Sequence, residues 1–461
     1  MQASYFNQAK TELKNMIVRL ASDRRKAGFS DKILHIGTTI AGKIDPLQWL
    51  EQQPHQVKIY WSNREKNFTA AGSGRVILLT QTGPVPDYSF VFRKMHQILS
   101  DSHPDLRFYG GARFAPRNVS EKIWQPFGTY FFIIPRFEIR LDDSGAVLIC
   151  NIRDTESDLS GDEFGQLLND LDRMTCLPTD QPGRSFRSIS RRDFPAVHQW
   201  EKDVRGTLRA LKANHLEKVV LARQTRFEFA EAVHPTLLME RLRKDNPHTY
   251  HFYVQPVRNC AFMGATPERL YMRYKQHLES EAIAGTRQRG KTPEEDTLLA
   301  EELAHDKKDL REHRWVSRLV KERMHALCGS VETLFQEEIL KLSRMQHLYT
   351  RFSGNIQNGV SDSELFSALH PSAAVAGYPT ATALKKIESV ETFDRGWYAG
   401  PVGWISHDTA EVAVAIRSAL VSDRHIFLYA GAGIVSGSDP QAEWNEIENK
   451  ISNFTGFFEG P

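Results

Sequence analysis

Two acidic pairs, each spaced to share one helical face, are the residues best suited to chemistry. In the segment His305-Asp-Lys-Lys-Asp-Leu-Arg-Glu-His313, Asp309 and Glu312 stand at i and i+3. In Asp439-Pro-Gln-Ala-Glu-Trp-Asn-Glu-Ile-Glu-Asn-Lys450, Glu443 and Glu446 repeat that spacing, and Lys450 extends the same face. Asp439-Pro440 reads as a helix start, with Asp as the cap and Pro at the first helical position. Two such faces brought together would concentrate negative charge, and carboxylate oxygens suit Mg²⁺, which keeps several waters and takes few protein ligands. By spacing alone, two solvated amphipathic helices are the commoner meaning of such faces.

The elements that must position these residues are a mixture of strands and helices. The spacing predicts a helix over 4–26, with Phe6, Leu13, Met16, Ile17 and Leu20 inward, and then strands at Ile33–Ile40, Val57–Trp61, Arg75–Leu79, Tyr130–Ile134, Phe137–Leu141 and Ala146–Cys150. The first half therefore reads as strand-rich, with few long helices. Near 177–195 a Pro/Gly/Ser-rich stretch carrying Arg184, Arg187, Arg191 and Arg192 reads as a solvated junction between lobes. Beyond it a helix is expected at His198–Ala213. Strands are expected at Lys218–Phe229, Tyr250–Gln255, Ala261–Gly264, Arg269–Tyr274 and Leu278–Ala284. One long charged helix over 293–327, strands at Tyr398–Ser406, Glu411–Ser422 and Arg424–Ala430, and a last helix over 440–455 complete the reading. Strands that do not alternate strictly with helices make this an α+β chain with largely antiparallel sheets.

Composition narrows the function classes. With 41% hydrophobic and 25% charged residues this is an ordinary globular composition, and a net charge of +2 gives no electrostatic case for nucleic acid or a membrane surface. No run of about 18 apolar residues is present, and the N-terminal helix lacks the apolar core of a signal peptide, so a cytoplasmic location is expected. The cysteines Cys150, Cys176, Cys260 and Cys328 lie far apart, form no C-x-x-C pair and are expected to be buried and unbridged. The segment Gly431-Ala-Gly-Ile-Val-Ser-Gly437 invites a nucleotide-binding reading. It lacks the G-x-G-x-x-G spacing and the following strand with its acidic residue, and a loop offering backbone N–H groups to a carboxylate remains sensible.

Lys218-Val-Val-Leu-Ala-Arg223, Gly264-Ala-Thr-Pro-Glu-Arg-Leu270, Ala284-Gly-Thr-Arg287, Lys308-Asp-Leu-Arg-Glu-His313 and His370-Pro-Ser372 resemble the chorismate-utilising enzymes, as do Gly396-Trp-Tyr-Ala-Gly-Pro-Val-Gly403, Ala415-Ile-Arg417 and the glycine-rich segment with its helix. These motifs span about 215–455 in the family's order; the first half matches more loosely, through Asp45-Pro-Leu47 and Gly110-Gly-Ala-Arg-Phe114. The resemblance implies one large fold of stacked antiparallel sheets with outer helices, with 1–190 as a looser N-terminal lobe and 195–458 as the catalytic region.

By that resemblance Lys218 is a general base and Glu268 a general acid. Glu312 and Glu446 hold Mg²⁺ with Asp309 and Glu443 nearby. Gly285 and Thr286 sit by the ring carboxylate of chorismate and His347 by the ring, while Tyr398, Arg417, Gly433 and Lys450 take the enolpyruvyl carboxylate. Ala284 stands where aminodeoxychorismate synthases place a nucleophilic lysine, so water or ammonia must attack. Glu281-Ala-Ile-Ala284 is closer to isochorismate synthases than to anthranilate synthases, and Leu348 and Ala374 fit a branch that retains pyruvate. The implied activity is isochorismate synthesis, weakly favouring menaquinone formation, on chorismate alone and without an amidotransferase subunit. Anthranilate synthase component I, salicylate synthase and a non-catalytic chorismate-binding protein are the alternatives.

Overall fold

Apolar runs such as Tyr130–Ile134 and the strand Lys58–Ser62 are buried at every position. Strands covered on both faces read as continuous apolar stretches. The computed structural model describes residues 2–116, 121–177, 186–213 and 216–459, and among these the strands form two large sheets.

In the first sheet the strands of 33–153 make one flank and those of 186–459 the other. They are joined where Lys58–Ser62 pairs with Tyr250–Val257. In the second, Pro401–Ile405 pairs with Phe108–Ala112, again bringing the two halves together. Pairing is antiparallel throughout the described residues except between Phe458–Glu459 and Phe186–Phe194. The N-terminal helix Gln2–Ala27 buries Phe6, Leu13 and Ile17 but leaves Met16 largely exposed.

The chain passes between the sheets at two crossovers that matter for function. Cys260–Thr266 lies in the first sheet and Arg269–Tyr274 in the second, so Pro267 and Glu268 make the crossing. The expected strand Glu411–Ser422 is in fact two, Thr409–Val414 in the second sheet and Ser418–Ser422 in the first. The turn between them sets Arg417 at φ +51°, outside the extended range that a strand needs. The crossovers are hydrogen-bonded to each other, with Val414 N donating to Glu268 O at 3.0 Å and Ala265 N to Arg417 O at 3.2 Å.

Other expectations are corrected in a similar way. The helix expected over 293–327 is broken into Pro293–His305 and Lys307–Leu327, because Asp306 adopts an extended conformation and caps the second helix. The first half contains two 13-residue helices, Tyr88–Ser100 and Gly161–Arg173. Arg187, Arg191 and Arg192 are not in a solvated linker but on the strand Phe186–Phe194, where Arg191 pairs with Asp193 and Glu448. Arg184 and most of the Pro/Gly-rich stretch fall outside the described residues. The glycine-rich segment is the end of the strand His425–Val435 rather than a phosphate loop. All four cysteines are buried and none is in a disulfide among the described residues, and no helix among the described residues is long and apolar enough to cross a membrane.

The helix Pro440–Thr455 begins as read, with the Asp439 carboxylate accepting from Gln441 N and Ala442 N. Asp439→Ala is expected to destabilise the protein by about 1 kcal/mol, measured as a lower urea or thermal midpoint. An unchanged midpoint would show that the cap contributes nothing.

Candidate active site

Lys218 opens the strand Lys218–Phe229, beside the strand His425–Val435, with Val220 opposite Gly433. A Cβ on Gly433 would lie 2.8 Å from Lys218 Cε, too close for a methyl group. Glycine there lets the lysine cross the neighbouring strand, and its Nζ donates to Glu312 Oε1 at 2.8 Å.

Glu312 is carried by Lys307–Leu327, with Asp309 one turn earlier paired to Arg287 at 2.7 Å. The helix Pro440–Thr455 brings Glu443, Glu446 and Lys450 to the same place. Lys450 Nζ reaches Glu446 Oε1 at 2.5 Å and Gly431 O at 2.9 Å. Each pair of carboxylates lies near the N-terminal end of its helix, where the helix dipole favours negative charge.

Their environments divide the four carboxylates. The Lys218 charge holds Glu312 below the usual range, and the Lys450 charge does the same for Glu446. Burial pushes Asp309 and Glu443 up, with further opposition from Glu312 and Glu446 respectively. Oxygen-only donors that repel one another around a cavity fit a hard divalent cation. Among the described residues, no three Asp, Glu, His or Cys side chains converge into a finished metal site.

Glu268, at the first crossover, is 6% exposed and has no basic group within ion-pair distance among the described residues. Burial raises its carboxyl to about 7, opposed mainly by the Lys218 charge. At the second crossover, half-buried Arg417 has no carboxylate within ion-pair distance among the described residues. Tyr398 stacks on Tyr429 with centroids 5.6 Å apart.

The strand His277–Gln288 bulges between Ala284 and Thr286, where Gly285 takes φ +75°. Thr286 Oγ1 meets His347 Nδ1 at 2.9 Å. Burial lowers the imidazole to about 3, so the ring is neutral, and its Nε2 has no hydrogen-bond partner among the described residues.

Every expected site residue except Leu348 lines one cavity of about 260 Å³, just below the ~300–1,000 Å³ range of ligand pockets. Leu348 is fully buried behind Gly285, with its Cδ1 3.2 Å from where a Cβ on that glycine would be. Arg287 and Lys308 face the cavity as well. Both lay within the motifs read from the sequence but were assigned no role there.

Residues 19–458 match the family described as chorismate binding enzyme. The chain belongs to the chorismate-binding enzymes. Two relatives of this chorismate-binding enzyme span most of its length. The isochorismate synthase MenF of Escherichia coli (strain K12) is 31% identical over 442 residues, 96% of this chain and 97% of the relative. A chloroplastic isochorismate synthase of Catharanthus roseus is 33% identical over 409 residues, 87% of this chain and 70% of the relative. The solved structure of the menaquinone-specific isochorismate synthase MenF from Escherichia coli matches with a TM-score of 0.85 at 29% identity, covering 97% of this chain and 99% of that one.

If Gly433 exists to let Lys218 reach Glu312, Gly433→Ala should leave the thermal midpoint nearly unchanged and lower chorismate turnover about a hundredfold. Wild-type turnover in that variant would remove the glycine from the account.

Proposed function

We propose that this chain is a magnesium-dependent isochorismate synthase, acting without an amidotransferase subunit and supplying menaquinone formation. The observation that carries the reading is a buried carboxyl poised near neutrality, Glu268, sharing a cavity with Lys218 and with alanine at position 284. Ala284 cannot attack the substrate, so an external nucleophile is needed. Similarity to isochorismate synthases over most of the chain supports water as that nucleophile.

In this reading water attacks C2 of the chorismate ring while the C4 hydroxyl departs and the ring double bonds shift. Lys218 takes a proton from the attacking water. Glu268 gives one to the departing hydroxyl, which leaves as water, so the reaction is an isomerisation. Lys218 Nζ donates to Glu312 Oε1 in this structure, and that contact must open for Lys218 to serve as the base. Mg²⁺ held by Glu312 and Glu446, with Asp309 and Glu443 nearby, would supply positive charge for the ring carboxylate and an alternative partner for Glu312.

Arg417, without a carboxylate of its own, receives the enolpyruvyl carboxylate through its planar guanidinium. In this reading Tyr398, Lys450 and the Gly433 backbone, which line the same cavity, join Arg417 in that contact. Thr286 fixes the neutral His347 ring, whose free Nε2 is available to a polar substituent of the substrate, and Gly285 keeps the wall beside it open. Retention of pyruvate does not follow from direct contact with Leu348, which lies behind Gly285; any influence of Leu348 passes through that glycine.

Chorismate incubated with the enzyme and Mg²⁺ is expected to give isochorismate, and none without the metal. Anthranilate formed with ammonium, or stoichiometric pyruvate, would overturn the assignment. Lys218→Ala is expected to abolish turnover while the protein stays folded; appreciable residual activity would remove Lys218 as the base. Glu268 must be protonated to act, so kcat/KM should decline as pH rises through about 7. A flat profile between pH 6 and 9 would exclude Glu268 as the acid titrating there.

A further inference from the structure

Glu268 is held from behind by a residue of the first half of the chain. Arg64 follows the strand Lys58–Ser62, and its Nη1 donates to Pro267 O at 3.0 Å, the carbonyl immediately before Glu268. The same guanidinium makes two bonds to Glu281, Nη1 to Oε2 at 3.0 Å and Nη2 to Oε1 at 2.7 Å. The Glu281 side chain is fully buried, accepts also from the Tyr349 hydroxyl at 3.2 Å and lies 3.4 Å from Arg269. The Arg64 guanidinium lies 5.3 Å from the ring centre of Tyr250, which further limits its movement.

Pro267 and Glu268 form a crossover, so no strand partner fixes both residues by a regular ladder. Arg64 supplies the missing constraint. Its fork reaches a carbonyl and both oxygens of a carboxylate at once, a geometry that a lysine ammonium cannot reproduce. A buried ion pair of this kind is a poor stabiliser compared with apolar packing, which directs attention to what it holds in place. Glu268 and Glu281 also line a common small cavity of about 20 Å³, with Ser280 and Ser372 in its wall, room for about one water molecule.

We propose that Arg64 and Glu281 are positioning residues for Glu268: the guanidinium fixes the Pro267–Glu268 crossover, and Glu281 fixes the guanidinium. This rests on the reading of Glu268 as the general acid. Glu281, part of the segment read above only as a mark of the family branch, thereby gains a physical role. Its fixed negative charge also opposes ionisation of Glu268, alongside the contrary effects of Lys218, Ser372 and Lys450.

Steady-state kinetics on chorismate with the full-length enzyme separate the possibilities. Arg64→Met is expected to lower kcat by about tenfold to a hundredfold, with KM changed less than about threefold. Arg64→Lys should recover only part of that loss. Glu281→Gln should lower kcat and move the alkaline limb of its pH profile to lower pH, because an anion that opposes ionisation of Glu268 is gone. Melting temperatures and KM report whether each variant is folded, and if Arg64→Met fails to fold, Arg64→Lys and Glu281→Gln decide. Wild-type kcat and an unmoved limb in folded variants would overturn the proposal, as would a loss confined to KM. Glu268→Gln tests the underlying reading separately: an active Glu268→Gln enzyme removes the acid itself, whereas an inactive one beside wild-type-like Arg64 and Glu281 variants removes only the clamp.

Discussion

Charges gathered in a partly buried cavity must find partners or shift their ionisation, and the arrangement of this site follows from that requirement. Lys218 answers Glu312 and Lys450 answers Glu446, while Arg287 pairs with Asp309, which burial nonetheless pushes up. Glu443 and Glu268 have no such partner among the described residues, and burial raises both. Arg417 is the converse, a cation with no carboxylate within ion-pair distance among the described residues. A dicarboxylate substrate accompanied by a divalent cation complements both kinds of vacancy, with an anion for Arg417 and positive charge for the acidic wall.

The two sheets are the means of building this balance. Their strands bring residues far apart in sequence into register, and two of the chain's passages between the sheets place Glu268 and Arg417 in the wall of one cavity. Because these passages are hydrogen-bonded to each other, Glu268 and Arg417 share a common support. The helix ends then deliver the acidic wall. Two glycines clear the remaining space, Gly433 under the lysine and Gly285 at the bulge beside His347.

What was legible in the sequence divides along physical lines. Fully buried strands such as Tyr130–Ile134 announce themselves as apolar runs, and the helix after Asp439 announces itself by its cap. The hairpin Cys328–Lys341 with Met345–Ile356 was not read, because its first strand lies at a sheet edge with mostly exposed, polar residues and repeated register shifts. The breaks at Asp306 and Arg417 depend on single backbone conformations, which composition does not encode. For the site, motifs indicated nearly all of the lining residues. They did not reveal that Leu348 stands behind the wall, which follows from strand register, or that Arg64 supports Glu268 across 203 intervening positions in the numbering.

The central claim is that the incoming hydroxyl is derived from water, activated by Lys218, while the original hydroxyl leaves with a proton from Glu268. Turnover of chorismate in oxygen-18 water, with mass analysis of the isolated product, tests it most directly. Isochorismate carrying one solvent oxygen at its ring hydroxyl is the expected result. Unlabelled isochorismate would mean that the hydroxyl migrates within the substrate, and the roles given to Lys218 and Glu268 would fall with it.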